Sequence, residues 1–135
     1  MNFQDKALEK PPRILCVGIP VRDLTFHIPA VPGRGSKENA TAFDEICGGN
    51  ALNGAIGIVR LGGRASICGP MGDAGETSSR FIFDQMAREG IETKHLIHMP
   101  GLVTPISAVM IDPSGERTIV TFRDPKLWQV KLPDF

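Results

Sequence analysis

The chain has 135 residues, and its 15 acidic and 15 basic side chains give a formal net charge of zero at pH 7. A chain of this length folds as one domain and buries about two thirds of the surface that its unfolded form exposes. The balanced charge excludes a general attraction to nucleic acid or anionic lipid and favours a small molecule as partner. Because the sequence contains neither a signal-peptide apolar region nor a membrane-length apolar run, we expect a cytoplasmic protein.

Cysteine and histidine spacing gives no indication of a metal site. The three cysteines form no CxxC pair, and two of them lie in apolar, strand-like runs, which favours buried thiols over metal or redox chemistry. The three histidines fit neither HExxH nor a Cys/His zinc spacing. We therefore predict no metal ligands among these six residues: Cys16, Cys47, Cys68, His27, His95 and His98.

The chain is predicted to begin with a flexible polar tail, residues 1–12, which ends at two prolines. The next residues, "RILCVGI" at 13–19, form an apolar run typical of a strand buried on both faces of a parallel sheet. Two extended segments follow between about residues 24 and 46, and the prolines and glycines there disfavour a central place in a sheet. We expect these segments to form an antiparallel flap outside the main core.

Helices and strands are predicted to alternate in the next part of the chain. Apolar residues recur with helical spacing over residues 50–63, and "RASICGP" at 64–70 is then typical of a second buried strand. A second helix is predicted over about 78–89, with a serine as N-cap and Gly90 at the C-terminal cap. The segment "IETKHLIHM" at 91–99 predicts a third strand.

Residues 103–123 contain two alternating apolar runs on either side of a Pro-Ser-Gly turn, which predicts a hairpin that extends the flap. The sequence thus predicts an α/β fold with a Rossmann-like parallel sheet, flanking helices and a small antiparallel appendage. The last segment, "KLWQVKLPDF", contains no closing element, and three strands with two helices would leave one sheet edge uncovered. We therefore expect residues 13–135 to be the first part of a larger domain.

The most unusual segment is "CGGNALNGAIGIVRLGG", in which the glycine pair Gly48-Gly49 precedes the first helix. Glycines allow a ligand to approach the main chain, and the first helical amides can donate to its oxygens. Asn53, about one turn into the helix, offers one acceptor and two donors to the same space. A plain tight turn at the glycine pair and a solvated amide at Asn53 are the alternatives.

Two further glycines, Gly54 and Gly57, lie inside the predicted helix. Each costs a helix about 1 kcal/mol relative to alanine, so a compensating role is expected. We interpret them as packing residues that let the helix lie close to the sheet.

Asp23 follows the first predicted strand in "GIPVRD". From the tip of a parallel strand, a carboxylate can accept two hydrogen bonds from vicinal hydroxyls, which favours a polyhydroxylated ligand. A turn or capping role for Asp23 is equally compatible with the pattern. Nucleotide fingerprints are absent, since neither GxGxxG after the first strand nor GxxxxGK[ST] occurs.

Together these motifs resemble the N-terminal part of the ribokinase-like (PfkB) carbohydrate kinases. The glycine-rich segment is similar to the family's N-terminal signature, "VGIPVRD" to its first strand and sugar-binding aspartate, and "GPMGD" to its glycine-aspartate turn. "FIFDQMAREGIETKHL" is similar to the helix and strand that follow. The resemblance extends from about residue 13 to 123 but covers only the N-terminal portion of the family's fold.

The resemblance implies ATP-dependent phosphorylation of a hydroxyl of a sugar or sugar derivative, with Mg²⁺ accompanying the nucleotide. The flap would be the family's β lid, which covers the sugar, excludes water and in many members forms a homodimer surface. It also implies a set of sugar-binding residues, in which Asn50 is a polar contact and Ser107 faces the sugar from the lid: Asp23, Gly48, Gly49, Asn50, Asn53 and Ser107.

The chain departs from the family pattern at two places. Ser79 stands where a glycine is common, so the turn before the second helix is expected to differ. The family's catalytic aspartate lies in a Gly-Ala-Gly-Asp segment, and no "GAGD" occurs in this sequence. We therefore expect the catalytic base and most of the nucleotide site to lie in a missing C-terminal part, and this segment by itself to be inactive.

The sequence does not identify the sugar. Arg123, at the end of the last lid strand, could reach an anionic substituent, whereas a solvated arginine paired with Asp124 or Glu116 is the simpler interpretation. Two other functions remain open: a nucleoside kinase of the same fold, and a non-catalytic fragment that binds sugar or forms a dimer.

Overall fold

The computed structural model describes residues 11–134, so residues 1–10 of the predicted flexible tail lie outside the described residues. Strands and helices alternate between residues 42 and 98. In chain order the elements are β1 (Arg13–Val17), β2 (Val21–His27), β3 (Ala42–Gly48), α1 (Asn50–Arg60), β4 (Arg64–Met71), α2 (Thr77–Glu89), β5 (Glu92–His98), β6 (Ile106–Ile111), β7 (Arg117–Phe122) and a 3₁₀ helix at Pro125–Gln129.

The body of the protein is a parallel sheet, called sheet A, with strand order β1-β4-β5 and two helices packed on it. Helix α1 packs against β1 and β4, α2 packs against β5, and the two helices contact each other. The inward residues of the helices meet those of β4 in one apolar core, as the helical spacing predicts. The fully buried members of this core include Leu52, Ala55, Ile67, Met71, Ile82 and Met86.

Strand β1 is less buried than the sequence predicts. It lies at the edge of sheet A, where Ile14 is 41% and Val17 is 54% exposed. The expectation of burial on both faces is therefore wrong for the described residues. An apolar run indicates that a strand can be covered, but only the neighbouring elements determine whether it is.

The second sheet, called sheet B, has strand order β3-β2-β6-β7 and corresponds to the predicted lid. The pairs β2–β3 and β6–β7 are antiparallel, but β2 and β6 are parallel, so the lid is a mixed sheet and not an antiparallel one. Strands β2 and β6 can run parallel because the body, and not a hairpin turn, connects them. The prolines that disfavoured a central strand lie between β2 and β3, which leaves β2 in the middle of sheet B.

One predicted detail at an element end is also wrong. Helix α2 begins at Thr77, and its N-cap is Glu76 instead of a serine, because the longer Glu76 side chain reaches the free amides of the first turn. The C-terminal segment forms the 3₁₀ helix and buries Leu127 completely, but among the described residues it adds no strand to sheet A.

The interior glycines of α1 do not serve close packing. A Cβ at Gly54 would lie 3.9 Å from Cys16 Sγ, which is ordinary contact, and a Cβ at Gly57 would meet nothing within 4 Å. The packing interpretation is therefore wrong, and the structure gives no other reason for these glycines.

Replacing Gly57 with alanine should stabilise the chain by about 0.5–1 kcal/mol, because alanine restricts the unfolded chain and meets no obstacle in the helix. Urea unfolding of wild type and variant measures the difference. Gly54→Ala serves as a companion variant, since its Cβ also has room. A loss of stability in both variants would contradict the conclusion that a Cβ fits at positions 54 and 57.

Candidate sugar-binding site

Asp23 lies inside β2 and not directly after the first strand, because β1 already ends at Val17. Its Cα is in register with Ser107 on β6 and with Ile46 on β3. Residues in register on neighbouring strands point to the same face of a sheet, so Asp23 and Ser107 share one face of sheet B. The structure thus brings Asp23, which was predicted at the tip of the first strand, together with Ser107, which was predicted in the lid.

Gly48 lies at the end of β3, diagonally across from Asp23 on the same face. A Cβ at Gly48 would overlap the Asp23 carboxylate, whose Cγ would be only 2.9 Å away and whose Oδ2 would be closer still. Any side chain at position 48 would therefore displace the carboxylate. The first glycine of the pair provides the space in which Asp23 sits.

Gly49 is required by a different neighbour. Its φ of +94° favours glycine, and a Cβ there would lie 2.5 Å from the Ile19 carbonyl oxygen and 3.3 Å from Pro20 Cα. Both atoms belong to the main chain and cannot move aside easily. The missing side chains of the glycine pair thus make room for Asp23 and Ile19, which are parts of the protein itself.

Ser107 is 5% exposed, and its hydroxyl lies 3.0 Å from the hydroxyl of Thr121 on β7. Thr121 is in register with Ser107, so a row of polar side chains crosses the middle of sheet B: Asp23, Ser107 and Thr121. Thr121 was not singled out from the sequence. Only the pairing of β6 with β7 places it in this row.

A cavity of about 360 Å³ opens where β1 ends and α1 begins. It brings together three of the predicted site residues, Gly49, Asn50 and Arg123, with Trp128 beside them. Asn50 is exposed at the start of α1 and lines this cavity.

Arg123 does not have the ion-pair partner expected of a solvated arginine. Its guanidinium stacks over the ring of Trp128, with 5.4 Å from Cζ to the ring centroid. In the described part of the chain, neither Asp124 nor Glu116 forms a salt bridge with it. Asp124 instead caps the 3₁₀ helix through the Lys126 amide at 2.9 Å. The sequence did not predict Trp128 as a residue of this cavity. Its position five residues after Arg123 was the available signal.

Asn53 lies in a different cavity from Gly49 and Asn50. This second cavity, of about 300 Å³, lies between β3, α1 and α2 and includes Cys47 and Phe81. The structure therefore does not bring Asn53 together with the other amide. Burial and the nearby Asp23 carboxylate raise the pKa of the Cys47 thiol to about 11, so the thiol is protonated at neutral pH.

A family model described as "pfkB family carbohydrate kinase" matches residues 11–133. The chain belongs to the pfkB family of carbohydrate kinases. This finding confirms the predicted resemblance, and the α/β fold with a lid sheet is confirmed with it.

Three relatives illustrate the similarity of this pfkB chain. It is 32% identical over 128 residues to a 5-dehydro-2-deoxygluconokinase of Geobacillus thermodenitrificans, covering 92% of the chain and 35% of the relative. The crystal structure described as "a putative ribokinase from Agrobacterium tumefaciens" superposes with a TM-score of 0.85 at 31% identity, covering 93% of the chain and 40% of that structure. Fructokinase from Xylella fastidiosa, solved with bound ATP, gives a TM-score of 0.63 at 26% identity, with coverages of 84% and 33%.

The pfkB chain spans about a third of the length of the curated relatives that it matches. Within residues 11–134, no group of three or more His, Cys, Asp or Glu side chains could hold a metal ion. Among the helices of the same range, none has the length and apolar character needed to cross a bilayer.

Proposed function

We propose that this chain is the sugar-binding half of an ATP-dependent kinase that phosphorylates a hydroxyl of a sugar or sugar derivative. The observation that carries the proposal is the Asp23 carboxylate held against Gly48, with the Ser107 hydroxyl on the neighbouring strand of the same face. A half-buried carboxylate is suited to accept hydrogen bonds from two vicinal hydroxyls. Membership of a carbohydrate kinase family supports the same chemistry.

Each site residue has a proposed role toward the sugar. Asp23 accepts from hydroxyls, and Ser107 contacts the sugar from the lid. The glycine pair makes room for Asp23 and the Ile19 carbonyl, and main-chain amides where α1 begins donate to the ligand. Asn50 and Asn53 of α1 are the proposed amide contacts. Asn50 lines the first cavity, whereas Asn53 lines the second. The proposed binding residues are Asp23, Gly48, Gly49, Asn50, Asn53, Ser107 and Arg123.

Arg123 is proposed to select an anionic substituent of the sugar. It lines the same cavity as Asn50, and stacking on Trp128 limits its freedom. Guanidinium groups recognise carboxylates through paired hydrogen bonds, and aromatic rings pack on apolar faces of ligands. Similarity to a 5-dehydro-2-deoxygluconokinase supports this choice of substrate class.

Phosphoryl transfer needs groups that this chain does not supply. The sequence has no "GAGD" segment for a catalytic base. We therefore assign ATP, Mg²⁺ and the base to a part of the protein outside this chain, and we propose that the chain by itself does not transfer phosphate.

Homodimerisation through sheet B is part of the proposal. Three large apolar side chains on one face of this sheet are half or more exposed, which is typical of a protein contact surface. They are Phe43, Val120 and Phe122.

Asp23→Ala tests the proposed function. The variant should bind its sugar about tenfold to a hundredfold more weakly, because about 1–3 kcal/mol of charge-assisted hydrogen bonding is lost. Calorimetry with a panel of neutral sugars, sugar acids and nucleosides measures the affinity and identifies the ligand class. Asp84→Ala, at an exposed position of α2, is the matched control and should bind like wild type. An unchanged sugar affinity for Asp23→Ala would contradict the proposal that Asp23 binds the sugar.

A further inference from the structure

Two buried serines open α2, and the family resemblance gave no role to either. Ser78 and Ser79 are both fully buried in the first turn. Their amides donate to the Glu76 carboxylate at 2.8 and 3.1 Å. Because Glu76 already satisfies both amides, the two hydroxyls are free to bond to other parts of the fold.

The Ser78 hydroxyl bonds to β2 through Arg22. Arg22 Nη1 donates to Ser78 Oγ at 3.4 Å, and the guanidinium lies over the Phe81 ring at 5.1 Å from the centroid. The same guanidinium donates to Glu45 on β3, at 2.5 Å from Nη2 and 3.1 Å from Nε. Arg22 therefore joins β2, β3 and α2. It directly precedes Asp23, and its side chain points to the opposite face of sheet B.

The Ser79 hydroxyl bonds to the segment that leads into β6. Its Oγ lies 2.7 Å from Thr104 Oγ1, and Thr104 Oγ1 also accepts from the Gly72 amide at 2.8 Å. Thr104 is fully buried and lies three residues before Ser107. Glu76 Oε2 accepts from Ser79 Oγ at 3.3 Å and from the Thr104 amide at 3.4 Å. This network therefore connects the segment just before β6 to the first turn of α2.

Burial by itself would raise the pKa of the Glu76 carboxyl. Hydrogen bonds from the amides of Ser78, Ser79 and Thr104 outweigh it and hold the pKa below its ordinary value. The carboxylate is consequently ionised at neutral pH, and it can accept every one of these hydrogen bonds.

We propose that Ser78 and Ser79 are positioning residues that anchor sheet B on the body and thereby set the location of Asp23 and Ser107. β2 and β6 are the two central strands of sheet B. One of two consecutive serines of α2 bonds to Arg22 in β2, and the other bonds to Thr104, two residues before β6 begins. Two attachment points on neighbouring strands resist a rotation of the sheet that a single point would permit. A glycine at position 79 would lack the hydroxyl that holds the second point.

The significance of the anchor for ligand binding rests on the proposed function, but the anchor itself can be measured without a ligand. Amide hydrogen exchange reports the local opening of each strand separately. Ser79→Ala removes the bond to Thr104, and Arg22→Met removes the bond to Ser78. Arg64→Met, which breaks a comparable arginine–glutamate pair with Glu92 in sheet A, is the matched control.

Both anchor variants should exchange the amides of β2 and β6 about fivefold to tenfold faster, because one net hydrogen bond changes an opening equilibrium by about this factor. Exchange in β4 should stay at the wild-type rate. Arg64→Met should leave β2 and β6 unchanged. The proposed anchoring role would be overturned if amide exchange became equally faster in both sheets, or if it became no faster in β2 and β6.

Sugar affinity then tests the positioning role. Each anchor variant should bind the sugar identified with the wild-type chain about fivefold to tenfold more weakly, although neither replaced residue belongs to the proposed contact set. Faster exchange with unchanged affinity would overturn the positioning role. If the wild-type chain binds no member of the sugar panel, the proposed function fails, and the exchange rates still decide whether the serines anchor sheet B.

Discussion

Gly49→Ala is expected to destabilise the chain by about 3 kcal/mol, because alanine at this position combines backbone strain with a steric overlap. The φ of +94° disfavours any residue with a side chain. The added Cβ would also lie 2.5 Å from the Ile19 carbonyl oxygen, a main-chain atom held between two strands. Urea unfolding of both proteins measures the loss.

Gly62→Ala separates the two contributions to this effect. Gly62 also has a positive φ, of +87°, but a Cβ there would meet nothing within 4 Å. Its replacement should therefore cost only the backbone strain, about 1 kcal/mol. Equal losses for Gly49→Ala and Gly62→Ala would show that the Ile19 carbonyl does not restrict position 49.

Gly48→Ala is expected to cost about 2 kcal/mol of stability and to abolish most sugar binding, because the new Cβ would displace the Asp23 carboxylate. The same substitution should be tolerated much better in the Asp23→Ala background, where the overlapping atoms are gone. A double-mutant cycle measured by urea unfolding should therefore give a coupling of about 1–2 kcal/mol between the two positions.

Gly54→Ala provides the control for this cycle. Its Cβ would lie beside Cys16 and away from Asp23, so its effect should add to that of Asp23→Ala. Additive behaviour of Gly48→Ala with Asp23→Ala would contradict the contact between the carboxylate and position 48. This cycle needs no ligand, and it tests the geometry of the site separately from its function.

Local sequence patterns were sufficient for most elements of the fold. Helical spacing located α1 and α2, and continuous or alternating apolar runs located the strands to within a few residues. Periodicity is a property of neighbouring residues along the chain, so it can be read without knowledge of the partners. The pairing of strands is not such a property. Neither the parallel pairing of β2 with β6 nor the edge position of β1 could be derived from it.

The candidate site likewise has features that local sequence patterns indicate and features that depend on tertiary contacts. The unusual composition of the glycine-rich segment, together with a lone aspartate before it, was sufficient to select Asp23, Gly48 and Gly49. The reason for the glycines was not accessible, because it depends on which atoms of distant segments come within 3 Å of them. Arg123 was selected as well, but its stacking on Trp128 depends on how the C-terminal segment folds back.

The sequence by itself determined the family, the alternation of helices and strands, and a set of candidate site residues, since motif order and periodicity are carried by the chain directly. Only the tertiary structure decided that Asp23 fills the space left by Gly48, that Asn53 lies in a separate cavity, and that two buried serines bond to Arg22 and Thr104. These features arise from contacts between residues far apart in sequence. Such contacts are fixed by packing and strand register, which no local pattern specifies.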